Sequence, residues 1–121
     1  MQRFHADNNR NESQIDFVVA KANEFESPRE FYAAAIRLLW EGWDSDTKTE
    51  NYITNSVQNE RTDDELTTIV NECLAITPIV DFSPTFEGIE SVHSFRDDWN
   101  VREFVWRTGG QYVFMSWDTA A

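Results

Sequence analysis

VREFVWRTGGQYVFMSW, residues 101–117, is the stretch whose reading decides the fold. Two runs rich in β-branched and aromatic residues flank Gly109-Gly110. Both central positions of a two-residue type I′ turn need positive φ, which glycine adopts without steric cost. Closing a hairpin there sets Trp106 opposite Val113, Phe104 opposite Met115 and Arg102 opposite Trp117. Phe104, Trp106, Val113, Met115 and Trp117 then share one face, a natural floor for helices. Upstream, Ile79–Phe82 reads as a short strand closed by Ser83-Pro84, and residues 86–95 alternate imperfectly, with His93 on the face of Ile89 and Phe95.

Before Pro78 the period is helical. Ser27-Pro28-Arg29-Glu30 supplies a cap residue, a proline at the first helical position and a glutamate at N3. Behind it Phe31, Ala34, Ala35, Leu38 and Leu39 recur at helical spacing, and Tyr32, Ile36, Trp40 and Trp43 make a second apolar stripe. A helix apolar on two sides is either sandwiched in the core or keeps one stripe for a partner. Gly42 should end it. Thr62-Asp63-Asp64-Glu65 repeats the capping-box pattern ahead of Leu66, Ile69, Val70, Cys73 and Leu74. Residues 44–61 fit a short helix around Tyr52, Ile53 and Val57 or a long loop. Residues 13–25 read as a first helix, with Ile15, Val18, Val19 and Ala22 on one face. Residues 1–12, polar and rich in Asn, read as a flexible leader. The expectation is a single α+β domain over residues 13–121: about three N-terminal helices packed as a second layer on a C-terminal antiparallel meander that ends in the Gly-Gly hairpin.

Composition bounds the function. The 121 residues carry 22 acidic against 10 basic side chains, a net charge of −12, and 40% of the residues are apolar. A field of that sign repels nucleic acid and anionic membranes and attracts basic partners. Direct nucleic-acid binding is therefore not expected. Solubility alone or a salt-loving host, to which the scarcity of lysine (Lys21 and Lys48) lends some support, would also favour acidity. Cys73 is the lone cysteine, so no intramolecular disulfide can form; neither an apolar signal segment nor a stretch of membrane-spanning length occurs, and a cytoplasmic protein is expected.

Little in the chain points to catalysis. Cys73 lies on an apolar helical stripe and reads as a small core residue rather than a nucleophile. His5 falls in the leader, and His93 reads as a structural histidine. Two distant histidines and one cysteine are too few for a structural zinc site. Asp44-Ser45-Asp46 opens like a calcium loop, but Lys48, Thr49 and Asn55 stand where a ligand, a glycine and a closing glutamate are required. No glycine-rich phosphate loop or dinucleotide fingerprint occurs, so no cofactor is expected. The many acids single out no carboxylate pair, and Glu30, Asp63, Asp64 and Glu65 already have a role in first helical turns.

Two clusters remain. Trp40, Trp43, Asp44 and Asp46 crowd the end of one helix, and Asp97, Asp98 and Trp99 fill a loop between strands. Tryptophan is the residue type most enriched at binding hot spots, and a rim of one sign steers an oppositely charged partner. Trp40 and Trp43 also admit a second placement, packed on the sheet. These residues point to a protein-binding module, an inhibitor or immunity-type protein that neutralises a basic partner such as a nuclease toxin; a nucleic-acid mimic from a phage or mobile element is a close variant. An alternative is a small-molecule or catalytic domain with a pocket lined by His93 and Tyr112 or Asp81. A third is a subunit of a larger assembly docked through the second stripe of the Phe31–Trp43 helix.

Overall fold

The computed structural model describes residues 1–43 and 45–120. In chain order the elements are β1 (Gln2–Asn8), β2 (Ser13–Lys21), α1 (Pro28–Leu39), α2 (Asp46–Asn55), β3 (Asn59–Glu60), α3 (Asp63–Ile76), β4 (Ile89–Asp97), β5 (Val101–Thr108) and β6 (Gln111–Thr119), with a 3-10 turn at Ala22–Glu24 ahead of α1. Among the described residues the strands form one antiparallel sheet in the order β1-β2-β6-β5-β4-β3.

The hairpin forms as its turn requires. Gly109 and Gly110 have φ of +56° and +77°. The register pairs Trp106 with Val113, Phe104 with Met115 and Arg102 with Trp117. The α+β class, the three helices and the antiparallel sheet agree with the sequence; the placement of helices first does not. Residues 1–12 are not a leader, because Gln2–Asn8 is an edge strand, and residues 13–21 are a strand rather than a helix. The physical reason lies in Ile15-Asp-Phe-Val-Val-Ala20. A strand covered on both faces is apolar at nearly every position, which periodicity cannot tell from a buried helix, and the β-branched and aromatic side chains tip it to strand. The Ser13 hydroxyl, at the start of this strand, meets Thr77 Oγ1 at 2.6 Å.

The sheet is covered on both faces, so the molecule has three layers rather than two. α1 and α2 lie over Val18, Ala20, Val105, Tyr112 and Phe114. α3 and the segment 77–88 cover Ile15, Phe17, Phe104, Trp106, Val113, Met115 and Trp117, the face that the hairpin register defines. Ile79–Phe82 is not a strand. Ile79 and Phe82 serve as a cover instead, while Val80 and Asp81 are exposed: Phe82 packs on Phe4 and Phe17 at ring separations of 4.6 and 4.8 Å. In β4, bulges at Glu90 and Phe95 break the alternation, so Ile89 packs with the second face while Phe95 belongs to the first.

Local signals set the helix starts. Ser27 Oγ accepts the Glu30 N–H at 3.1 Å and Pro28 opens α1. In α3 the capping box closes in both directions, Glu65 N–H to Thr62 Oγ1 at 3.1 Å and Thr62 N–H to Glu65 Oε1 at 3.0 Å. The bond from the Thr62 backbone, followed by Arg61, holds the Glu65 carboxyl down to about 2. Thr62→Ala removes one partner of the box and should cost about 1 kcal/mol, read as a lower urea midpoint with an unchanged denaturant slope.

Candidate partner-binding end of the sheet

The antiparallel register gathers several turns at one end of the sheet. Asn8 pairs with Ser13, Ser13 with Thr119, Asp118 with Val101, and Arg102 with Asp97. The β1–β2 turn, the end of β6 and the β4–β5 turn therefore lie side by side. α1 starts near Tyr112, at the opposite end, where Phe31 stacks on that ring at 5.3 Å. It runs back so that Leu39, Trp40 and Trp43 line a cleft with Gln14, Asp16, Ser116 and Asp118. The two tryptophan clusters thus share one end of the molecule.

Their members differ in what they do. Trp43 is 87% exposed and Trp99 is 71% exposed. Trp40 takes the other placement in part: it is half-buried against the first core, its ring 4.3 Å from that of Tyr52. Asp46 is exposed in the first turn of α2, and Asp44 lies outside the described residues. Asp97 is not a free steering charge. Its carboxylate takes Arg61 at 2.7 Å and lies 3.7 Å from Arg102 Nε, and those two guanidinium groups also reach Glu65 and Glu72. Asp98 sits in the turn, its N–H bonded to the Val101 carbonyl at 2.9 Å, and is exposed. Trp106 and Trp117 belong to the core.

On the α1 face a polar row crosses the sheet at this end: His5, Asp16, Ser116, Glu103 and Arg96 are successive cross-strand neighbours. At the β1 side, Asp16 Oδ1 receives Arg3 Nε at 2.9 Å and lies 2.9 Å from His5 Nδ1. At the β5 side, Glu103 is 2% exposed. It accepts the Tyr32 hydroxyl at 2.7 Å and the Tyr52 hydroxyl at 2.6 Å, with Arg96 Nε at 3.4 Å. Burial raises its carboxyl pKa against the lowering effect of those donors. Burial likewise raises both tyrosines, with the Glu103 charge adding to it. Arg96 also lies over the Tyr52 ring at 3.9 Å. This network fastens α1 and α2 to the sheet beneath the Trp40 side of the candidate surface.

Sequence reasoning missed Arg3, Asp16, Glu103 and Asp118. Glu103 left no usable trace: alternation with Phe104 and Trp106 puts it on the other face of β5, which the sequence reading left without helices and which α1 and α2 in fact cover. The residues suggested for a catalytic pocket do not assemble. Tyr112 is in the first core, Asp81 is exposed in the segment covering the opposite face, and His93 Nδ1 lies 3.2 Å from Gln58 Nε2. Cys73 is in the second core, where burial pushes its thiol up to about 12, which disfavours the thiolate a nucleophile needs. Among the described residues no group of three or more His, Cys, Asp or Glu side chains is placed to hold a metal, and no helix is long and apolar enough to cross a membrane. No protein-family model matches the chain, and neither a curated protein nor a solved structure matches it.

Proposed function

We propose that this chain is a protein-binding module that docks a basic protein through the sheet end carrying Trp43 and Trp99, acting in the cytoplasm as an inhibitor or immunity-type protein. The observation that carries the reading is the exposure of these two indoles in turns at the same end of the sheet, each flanked in sequence by acidic residues. Large indoles left in water are costly unless a partner covers them, and Trp anchors dominate many interfaces. The acidic surroundings supply the complementary half. Glu41 and Asp46 stand beside Trp43 and Asp98 beside Trp99, while Asp63 and Asp64 are exposed in the first turn of α3, which contacts the same end of the sheet through Glu72–Arg102 and Ser13–Thr77. In this mechanism the carboxylates raise the encounter rate and the indoles set the lifetime.

The test is affinity capture from the native host followed by kinetics with the isolated partner. Association should slow as salt rises. Because Asp97 holds Arg61 and Arg102, charge reversal belongs at exposed positions instead. Glu41→Lys with Asp98→Lys should lower the association rate about tenfold at low ionic strength and leave dissociation nearly unchanged. A captured partner that is acidic, or association that ignores both salt and the double substitution, would remove the reading.

A further inference from the structure

The cleft under α1 carries more than its indoles. It has a volume of about 260 Å³, and Arg3, Gln14, Asp16, Trp43, Ser116 and Asp118 are among its lining residues. Its two carboxylates are not equivalent. Asp16 already has the Arg3 guanidinium at 2.9 Å and His5 at 2.9 Å. Asp118 has a neutral partner, the Gln14 amide, at 3.2 Å from each oxygen, and no cation among the described residues pairs with it. Burial and the neighbouring Asp16 charge hold its carboxyl pKa above the usual aspartate value, against the pull of the Gln14 amide and the more distant His5. A partly desolvated carboxylate with no cation in bonding contact, in a cleft also lined by an indole that is mostly in water, is an arrangement that a flat organic cation would complete.

We propose that this cleft accepts an arginine side chain of the basic partner, its guanidinium paired with Asp118 and stacked on Trp43. The identification of the source as a protein rests on the docking reading above. An anion is disfavoured, because Arg3 is already neutralised by Asp16 and Asp118 would repel it. Arginine fits better than lysine on two grounds. Its planar fork can meet both carboxylate oxygens at once, and its weakly hydrated face stacks on indole, whereas a compact ammonium does neither. Cation–π attraction is also strongest over tryptophan.

The experiment titrates the purified chain with N-acetyl-arginine methylamide, followed by the Trp43 indole N–H resonance. The neutral citrulline counterpart and the lysine counterpart serve as comparison probes. A saturable shift is expected, with arginine binding at least about tenfold more tightly than citrulline, a gap set by the charge-assisted pair. Asp118→Asn keeps the side-chain shape and removes a partly buried charge that no cation contacts directly, so it should fold with an unchanged or higher melting temperature and lose about tenfold in arginine affinity. Trp43→Ala, at a solvent-exposed position, is the second variant, read by the Gln14 side-chain amide instead. Absence of a saturable shift, equal binding of citrulline, or unchanged affinity in Asp118→Asn would each overturn the proposal. The two ideas fail separately. Loss of the arginine response, with Glu41→Lys/Asp98→Lys still slowing capture of a basic protein, removes the cleft and leaves the docking end. A specific arginine response with no basic protein partner does the reverse.

Discussion

Glu103→Ala is expected to lower folding stability by about 3–5 kcal/mol, a large part of the 5–15 kcal/mol that holds a domain of this size together. The cost does not come from the carboxylate's own preference for the interior, since its raised pKa says that burial of the charge is unfavourable by itself. It comes from what is left behind. Tyr32 and Tyr52 lose their acceptor, and Arg96, half-buried above the Tyr52 ring, loses its counter-charge. An unpaired buried donor costs about 1–3 kcal/mol, and an uncompensated charge more. A double-mutant cycle separates this from simple cavity formation: Tyr52→Phe should cost less in a Glu103→Leu background than alone, because the hydroxyl is then already without a partner. Equal costs in both backgrounds would mean that the Tyr52–Glu103 bond contributes nothing.

The same group predicts a pH signature of definite sign. A carboxyl whose folded pKa lies above its unfolded value binds its proton more tightly when folded, so its contribution is fully present below the ordinary glutamate range. It is lost as pH rises through the folded value. Glu103→Gln should abolish this part of the slope, and the difference between wild type and variant, from urea unfolding at several pH values, isolates it from acids such as Glu65, whose lowered pKa acts in the opposite sense. The amide substitution should be milder than alanine, since its oxygen still accepts one tyrosine.

How much of this was legible in the chain follows from the range of each interaction. The Gly109-Gly110 turn, the Ser27 and Thr62 caps and the apolar face of the β5–β6 hairpin are specified within a few residues, and the structure reproduces them. Strand β2 was not legible because Ile15, Phe17, Val18 and Ala20 are all buried, on two opposite faces, which erases the alternation that marks a half-buried strand. Strand β1 was hidden by its polarity: as an edge strand it turns Arg3, His5 and Asp7 to one side and only Phe4 and Ala6 toward the core. At the candidate site, the exposed indoles were visible as Trp beside Asp in turns. The cleft was not, since Gln14 and Asp118 are 104 residues apart and meet only through the β2–β6 pairing. Tyr32 and Glu103, separated by 71 residues, were hidden in the same way. Asp97 shows the converse, a residue that looks like a free loop acid until Arg61 arrives from the other side of the chain.

Trp106→Ala should match or approach the Glu103 loss, at about 3–5 kcal/mol, by a different route. The indole is fully buried at the centre of the second face, opposite Val113 and stacked near Phe86 at 5.9 Å. Its Nε1–H donates to the Thr85 carbonyl at 3.0 Å. Truncation therefore opens a cavity in the core and also releases the irregular segment 77–88, which has no strand or helix of its own and relies on side-chain contacts with this face. The two consequences separate in a single comparison. Trp106→Phe keeps most of the ring and gives up the bond to Thr85, so it should cost about 1–2 kcal/mol, because the freed carbonyl can turn to water. It should still raise amide exchange and protease cleavage within residues 79–88. Trp106→Ala adds the cavity cost and loosens α3 as well, because Leu66, Val70 and Cys73 share that core. If segment exchange stays at the wild-type rate in Trp106→Phe, the cover is held by its other anchors, Ile79, Phe82, Phe86 and the Thr108 bond to the Glu87 carbonyl, and the Thr85 bond plays no part in securing it.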